Sequence, residues 1–189
     1  MKVINRETLW KGKYLETVLI TYKDKNGKIR NWEAVNRINT TDVVVIIPIT
    51  QNREILLIRQ FRPALDSYAI EFPAGLVEPA EGLLESAKRE LIEETGYESE
   101  NLILLSEGVI STGVNMEKWN IVVAQNIKEA PAELKKKYPA DENEDIEIFF
   151  VPLDSLYSAL ESFRAKGNEV DLRIYGLTEL VKQRLSSIT

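Results

Sequence analysis

Strand-like runs separated by polar turns fill the first third of the chain. Residues 14–22 (YLETVLITY) mix β-branched and aromatic positions at strand-forming density. The polar stretch 23–28 (KDKNGK) places Gly27 where a turn needs positive φ, and residues 29–36 (IRNWEAVN) return as the second strand of a hairpin. Residues 43–49 (VVVIIPI) are continuously apolar, the pattern of a strand buried on both faces. Residues 54–60 (EILLIRQ) follow the turn Gln51-Asn52-Arg53, which predicts that these two strands pair. A shorter strand at 68–72 (YAIEF) is closed by Pro73-Ala74-Gly75.

From about residue 82 the period changes to that of a helix, with Leu84, Ala87 and Leu91 on one face and Gly96 where a C-terminal cap belongs. Residues 103–109 and 119–124 read as strands. Residues 126–143 are polar, with Pro131, Lys135-Lys136-Lys137 and Pro139, and predict a long mobile loop. A strand at 146–151 precedes two helices, about 153–165 and 171–186, with Asp154 and Asp171 as N-cap candidates. Strands and helices do not alternate one for one, so the pattern predicts an α+β sandwich. Residues 1–40 form an N-terminal β-hairpin arm, packed on the main body or on a second subunit, and residues 41–189 form the main domain.

Composition narrows the chemistry. The chain has 189 residues with neither Cys nor His. That excludes a Ser-His-Asp triad, a thiol nucleophile and an imidazole base, and it leaves oxygen ligands for any metal. Against 24 Lys and Arg stand 30 Asp and Glu, a net charge of −6, so neither nucleic acid nor an anionic membrane is an expected partner. The longest aliphatic run stops at Pro48 and the first 30 residues hold no apolar core of signal-peptide length, so the expected location is cytoplasmic.

The informative stretch is 75–97 (GLVEPAEGLLESAKRELIEETGY). Glu90 and Glu94 are i, i+4 and stack on one helix face, with Glu93 on its edge. Three carboxylates near a helix C-terminus oppose the macrodipole and repel one another, and a hard divalent cation relieves both. Arg89 can neutralise or orient one of them. A Glu-rich face is ordinarily just solvated, but the surrounding residues change the odds. Gly75, Glu81, Arg89, Glu90, Glu93, Glu94 and Gly96 match the Nudix box, G, five residues, E, seven residues, R-E-U-x-E-E-x-G-U, with Leu91 and Tyr97 at the bulky apolar positions. Seven such positions coincide by chance on the order of 10⁻⁸ per window at average composition. The chain resembles a Nudix hydrolase. Residues 58–63 (IRQFRP), 70–75 (IEFPAG), 31–37 (NWEAVNR), 141–146 (DENEDI) and 170–175 (VDLRIY) resemble the ADP-ribose pyrophosphatase branch.

The resemblance implies an α/β/α sandwich around a mixed sheet and hydrolysis of a nucleoside diphosphate linked to a sugar. It implies Mg²⁺, with Mn²⁺ as the alternative, held by Glu90 and Glu94, by Glu93 as a further ligand or orienter, and by the Ala74 carbonyl. Glu81 would be structural. Glu144 is the implied base, with Glu142 as runner-up and Asp145 also in the acidic loop. Trp32 would stack on adenine with Glu33 reading its polar edge and Tyr14 closing the other face, while Arg37 and Arg62 would contact phosphate or the terminal ribose. The branch is homodimeric with an exchanged hairpin, so Trp32 would serve the partner's site. One departure touches substrate choice: Thr112 stands where a branch proline is typical, about fifteen residues after the box. Alternatives are a hydrolase of another nucleoside diphosphate sugar such as GDP-mannose, or an ADP-ribose-binding module without catalysis, which the intact box disfavours.

Overall fold

A computed structural model describes residues 1–40, 42–141 and 144–186. The N-terminal arm is a three-stranded antiparallel sheet of β1 (Lys2–Lys11), β2 (Leu15–Lys23) and β3 (Ile29–Arg37). The hairpin is in register from Leu15↔Arg37 to Lys23↔Ile29. Its turn is held by the Asp24 carboxylate, which accepts the Asn26 and Lys28 amides at 2.9 Å, and Gly27 supplies φ of +80°. β1 was not expected, because its ten residues are all exposed and leave no burial pattern to read.

The main sheet is built on β4 (Asp42–Ile49), whose alternate residues enter two cores. Val43, Val45, Ile47 and Ile49 face one, and Val44 and Ile46 face the other, which explains the unbroken apolar run. Around it lie β5 (Glu54–Arg62), β6 (Ser67–Glu71), β7 (Ala74–Leu76), β8 (Tyr97–Glu98), β9 (Asn101–Val109), β10 (Lys118–Gln125), β11 (Lys128–Glu129), β12 (Ile146–Pro152) and β13 (Glu169–Val170). The order is β13-β6-β5-β4-β10-β9, with β12 on β5 and β7 on β4 and with β8 and β11 as a separate pair. β4 and β10 run parallel, so the sheet is mixed. The helices are α1 (Leu83–Thr95), α2 (Ala132–Lys137), α3 (Leu156–Ala165) and α4 (Arg173–Ser186). Ala87 and Leu91 of α1 pack on one face of the sheet, and Leu156, Leu160, Ile174 and Val181 of α3 and α4 on the other. The α+β class with an α/β/α sandwich is therefore what the chain adopts.

β4 and β5 are neighbours in the sheet, as expected, and pair at Ile49↔Ile55: β7 takes Val43 to Val45 of β4, and β12 pairs β5 from Glu54 to Gln60. Three other local expectations are corrected. The stretch 126–143 is not one long loop, since β11 pairs with β8 and α2 follows with its three lysines in the last turn, where cations suit the dipole. On α1 the apolar phase is shifted by one: Leu83 packs on the core, whereas Leu84 is exposed. Asp154 lies in a 3₁₀ turn, Leu153–Ser155, ahead of α3 and is not its N-cap. Asp171 does cap α4, accepting the Arg173 amide at 2.9 Å. No helix among the described residues is long and apolar enough to cross a membrane.

Candidate active site

α1 carries the carboxylates and the core fixes its rotation. With Ala87 and Leu91 buried, Glu90 and Glu94 turn toward the β7 segment. Gly96 ends the helix at φ of +73°, its amide donating to Ile92 O at 2.8 Å. Arg89 engages more than the single carboxylate expected. Its Nη1 donates to Glu90 Oε1 at 2.7 Å and Glu93 Oε2 at 2.8 Å, its Nε to Glu81 Oε2 at 3.1 Å, and its Nη2 to the Leu76 carbonyl at 3.1 Å. Glu81 also accepts the Ser86 hydroxyl at 2.8 Å, so both its neighbours on α1 hold it in place. One guanidinium thus ties the loop before α1 to the helix.

Gly75 and Ala74 lie against the same carboxylates. A Cβ on Gly75 would fall 1.9 Å from Glu90 Cδ, so the glycine makes room for a side chain as well as for any ligand. The Ala74 amide donates to Glu94 Oε2 at 3.0 Å. Burial pushes Glu90 up to about 7, with Arg89 opposing and Glu93 and Glu144 adding to the rise. Burial raises Glu94 well above the carboxylate range too, reinforced by Glu90 and Glu144 and opposed by the Ala74 amide. Burial and mutual repulsion therefore disfavour the ionised form of both carboxyls in the metal-free protein.

A cleft of about 650 Å³ opens over this face, lined by Arg89, Glu90, Glu93, Pro139, Ala140, Asp141 and Glu144. Glu144 is shared with a neighbouring cleft lined by Gln60, Phe61, Arg62, Pro63, Tyr68 and Asp145. Asp145 accepts the Tyr68 hydroxyl at 2.8 Å, whereas Glu144 faces the carboxylates. Glu142 lies outside the described residues. Arg62 borders the second cleft but is held by Glu71 through two bonds of 2.7 and 2.8 Å, and that pairing raises its pKa.

The expected nucleotide contacts do not join this cluster within one protomer. Trp32, Glu33, Tyr14 and Arg37 line neither carboxylate cleft. Trp32 is half exposed on β3 and donates its indole N–H to the Gly113 carbonyl at 2.8 Å. Glu33 follows it on a continuous strand, and alternation sends the two side chains to opposite faces. Tyr14 is exposed under Lys13. Arg37 donates from Nε to buried Glu117 at 2.5 Å. Sequence reasoning missed Glu117 and Tyr68, although a charged residue two positions ahead of Trp119, on the inward phase of an apolar strand, was the available signal for the first.

Among the described residues no three acidic side chains converge as a ready-built cation cage, since Arg89 stands between Glu90 and Glu93. The donor chemistry nevertheless fits a hard divalent ion: Glu90, Glu93, Glu94 and the Ala74 carbonyl offer only oxygen, and a cation would stabilise the ionised form that burial disfavours in Glu90 and Glu94.

The comparisons point the same way. A family model described as NUDIX domain matches residues 40–172. The chain is 30% identical over 182 residues to the ADP-sugar pyrophosphatase of Mus musculus, covering 92% of this chain and 84% of that protein. It is 32% identical over 177 residues to the ADP-ribose pyrophosphatase of Saccharomyces cerevisiae, covering 88% and 76%. A solved structure described as an ADP compounds hydrolase superposes with a TM-score of 0.80 at 27% identity, covering 98% of this chain and 94% of that one.

Proposed function

This chain belongs to the Nudix family of hydrolases, and from that premise we propose that it cleaves the pyrophosphate bond of ADP-ribose, or of a related ADP-sugar, to AMP and a sugar phosphate. The observation that carries the reading is the buried pair Glu90 and Glu94, set against Ala74 and Gly75, where burial resists their ionisation and Arg89, Arg62 and the Ala74 amide favour it. Relatives named for ADP-ribose and ADP-sugar hydrolysis, aligned over most of their length, support the substrate class.

Nudix enzymes use a divalent cation, and Glu90, Glu94, Glu93 and the Ala74 carbonyl would hold it here, with Mg²⁺ favoured and Mn²⁺ as the alternative. When bound, such an ion offsets the charge of the pyrophosphate oxygens and acidifies water. The protein's own groups do the remaining work. Glu144, at the mouth of the cleft, accepts a proton from the attacking water as its oxygen bonds to phosphorus and the bridging P–O bond breaks. Arg89 keeps Glu93 and Glu90 aimed into the cleft, and the AMP and sugar phosphate leave as anions. Trp32, Glu33 and Tyr14 read the adenine, and Arg37 and Arg62 contact phosphate or the terminal ribose.

The active form is a cytoplasmic homodimer in which the arm, residues 1–40, meets a second subunit and carries Trp32 toward its site. β1 supports this, since Val3, Ile4, Leu9 and Trp10 are all exposed in the single chain. A monomeric elution volume on a sizing column would refute it.

Product chromatography after incubation with Mg²⁺ and ADP-ribose, beside GDP-mannose, a dinucleoside polyphosphate and NADH, tests the function. AMP plus ribose 5-phosphate, lost in Glu94→Gln, supports it. Turnover of another compound alone moves the error to Trp32, Glu33 and the loop around Thr112.

A further inference from the structure

Glu117 is buried just ahead of β10, outside the carboxylate clefts, and the reaction makes no use of it. Its carboxylate collects donors from three places: Arg37 Nε on β3 at 2.5 Å, Asn115 Nδ2 at 3.0 Å, and Trp119 Nε1 on β10 at 3.1 Å. Its own amide donates to Asn115 Oδ1 at 3.3 Å. The loop from 111 to 116, which contains Thr112, is also bonded directly to β3. The Val35 amide donates to Val114 O at 2.8 Å, the Met116 amide to Val35 O at 3.3 Å, and the Trp32 indole to Gly113 O at 2.8 Å. One buried anion therefore sits where the strand bearing Trp32 and Arg37 joins the loop and the main sheet.

The geometry of Arg37 gives this join a use. A guanidinium bound through Nε is fixed in plane, and its two Nη groups have no acceptor among the described residues. The side chain is partly open to solvent, so these donors are held ready for an oxyanion that the protein itself does not supply.

We propose that Glu117 is a positioning residue for substrate recognition: it aims the Nη groups of Arg37 at a phosphate or ribose oxygen and locks the 111–116 loop against Trp32 before ligand arrives. The proposal rests on the reading above that Trp32 and Arg37 bind an ADP-sugar. Pre-ordering the site in this way lowers the entropy lost on binding and leaves the chemical step on α1 untouched.

Glu117→Gln keeps the shape of the side chain and removes the charge. With ADP-ribose and Mg²⁺, KM should rise about tenfold or more, the worth of one charged hydrogen bond, while kcat stays within about twofold. Arg37→Ala should raise KM similarly, and the double variant should be no worse than Arg37→Ala alone. An unchanged KM, a loss confined to kcat, or multiplicative KM effects would overturn the proposal. A ligand-free readout separates this from the functional reading. In ¹⁵N spectra, the Arg37 Nε–H and Trp32 indole resonances, assigned with Arg37→Lys and Trp32→Phe, should both shift in Glu117→Gln. If neither moves, Glu117 does not set the site, whatever the substrate. If the native protein fails to turn over ADP-ribose, the functional reading falls and the two resonances alone decide the positioning.

Discussion

The carboxyl group of Glu90 occupies the space that a methyl group on Gly75 would need, with Glu90 Cδ 1.9 Å from the position of that absent Cβ. Gly75→Ala should therefore displace Glu90. Because β7 is paired with β4, the strand cannot yield and the side chain must. The expected cost is about 1–3 kcal/mol of stability, as for overpacking a filled interior, with kcat/KM for the pyrophosphate substrate falling on the order of 10²-fold, the loss that follows a misplaced catalytic group. Thermal melts beside steady-state kinetics check both. Unchanged kinetics would mean that Glu90 needs no fixed place over Gly75.

Arg89 meets Glu81, Glu90, Glu93 and the Leu76 carbonyl with a single planar group. A lysine offers a point charge and cannot span these acceptors. Arg89→Lys keeps the charge but loses the fixed fork of hydrogen bonds, and should lose about 1.5–3 kcal/mol in metal-free protein, the range for a hydrogen bond to a charged group. Mg²⁺ should restore part of the loss, because the ion takes over the repulsion among the glutamates. Denaturant titrations with EDTA and with Mg²⁺ measure the difference, and equal losses in both would argue against a shared charge cluster.

The helix and both cores were legible in the sequence for a plain reason. Burial on one side of α1 and on both sides of β4 forces periodicity into the residues themselves, and Glu90 and Glu94 follow from the same 3.6-residue turn. β1 buries nothing and so left no trace. The Leu83-for-Leu84 shift on α1 is a one-residue phase error that periodicity with few apolar positions cannot resolve. What Glu117 holds was hidden because its decisive partner, Arg37, is 80 residues away in sequence. Asp145 and Glu144 are adjacent acidic residues that only Tyr68 tells apart.

That distinction can be measured. Glu144→Gln should lower kcat by about 10²–10⁴-fold with little change in KM, the range for removing a general base. Asp145→Asn and Tyr68→Phe should each lower kcat far less, since they disturb only the bond of 2.8 Å that steadies the neighbouring residue. Steady-state kinetics on the three variants settle the assignment. A larger loss from Asp145→Asn than from Glu144→Gln would exchange the two roles.

The elevated Glu90 carboxyl predicts how metal-free protein responds to pH. Burial lifts Glu90 from 4.5 to about 7 in the folded chain, so between these values the folded state binds more protons than the unfolded one. Stability falls with rising pH wherever the folded state is the more protonated. The contribution from Glu90 is therefore complete below its unfolded pKa and is lost as pH climbs through about 7. Glu94, raised by burial and by Glu90 itself, acts in the same direction. In EDTA, denaturant stability should be lower at pH 8 than at pH 5.5 by on the order of 1–3 kcal/mol from this site. Glu90→Gln removes the proton and should flatten much of that slope. A divalent cation should reverse it, because only the ionised carboxylates bind the ion, so that metal uptake near pH 7 releases protons to the buffer. Calorimetry of Mg²⁺ binding in two buffers of different ionisation enthalpy counts them. A count of zero would mean that Glu90 and Glu94 are already ionised in the folded chain, and that the charge held between Gly75 and α1 is offset without a metal.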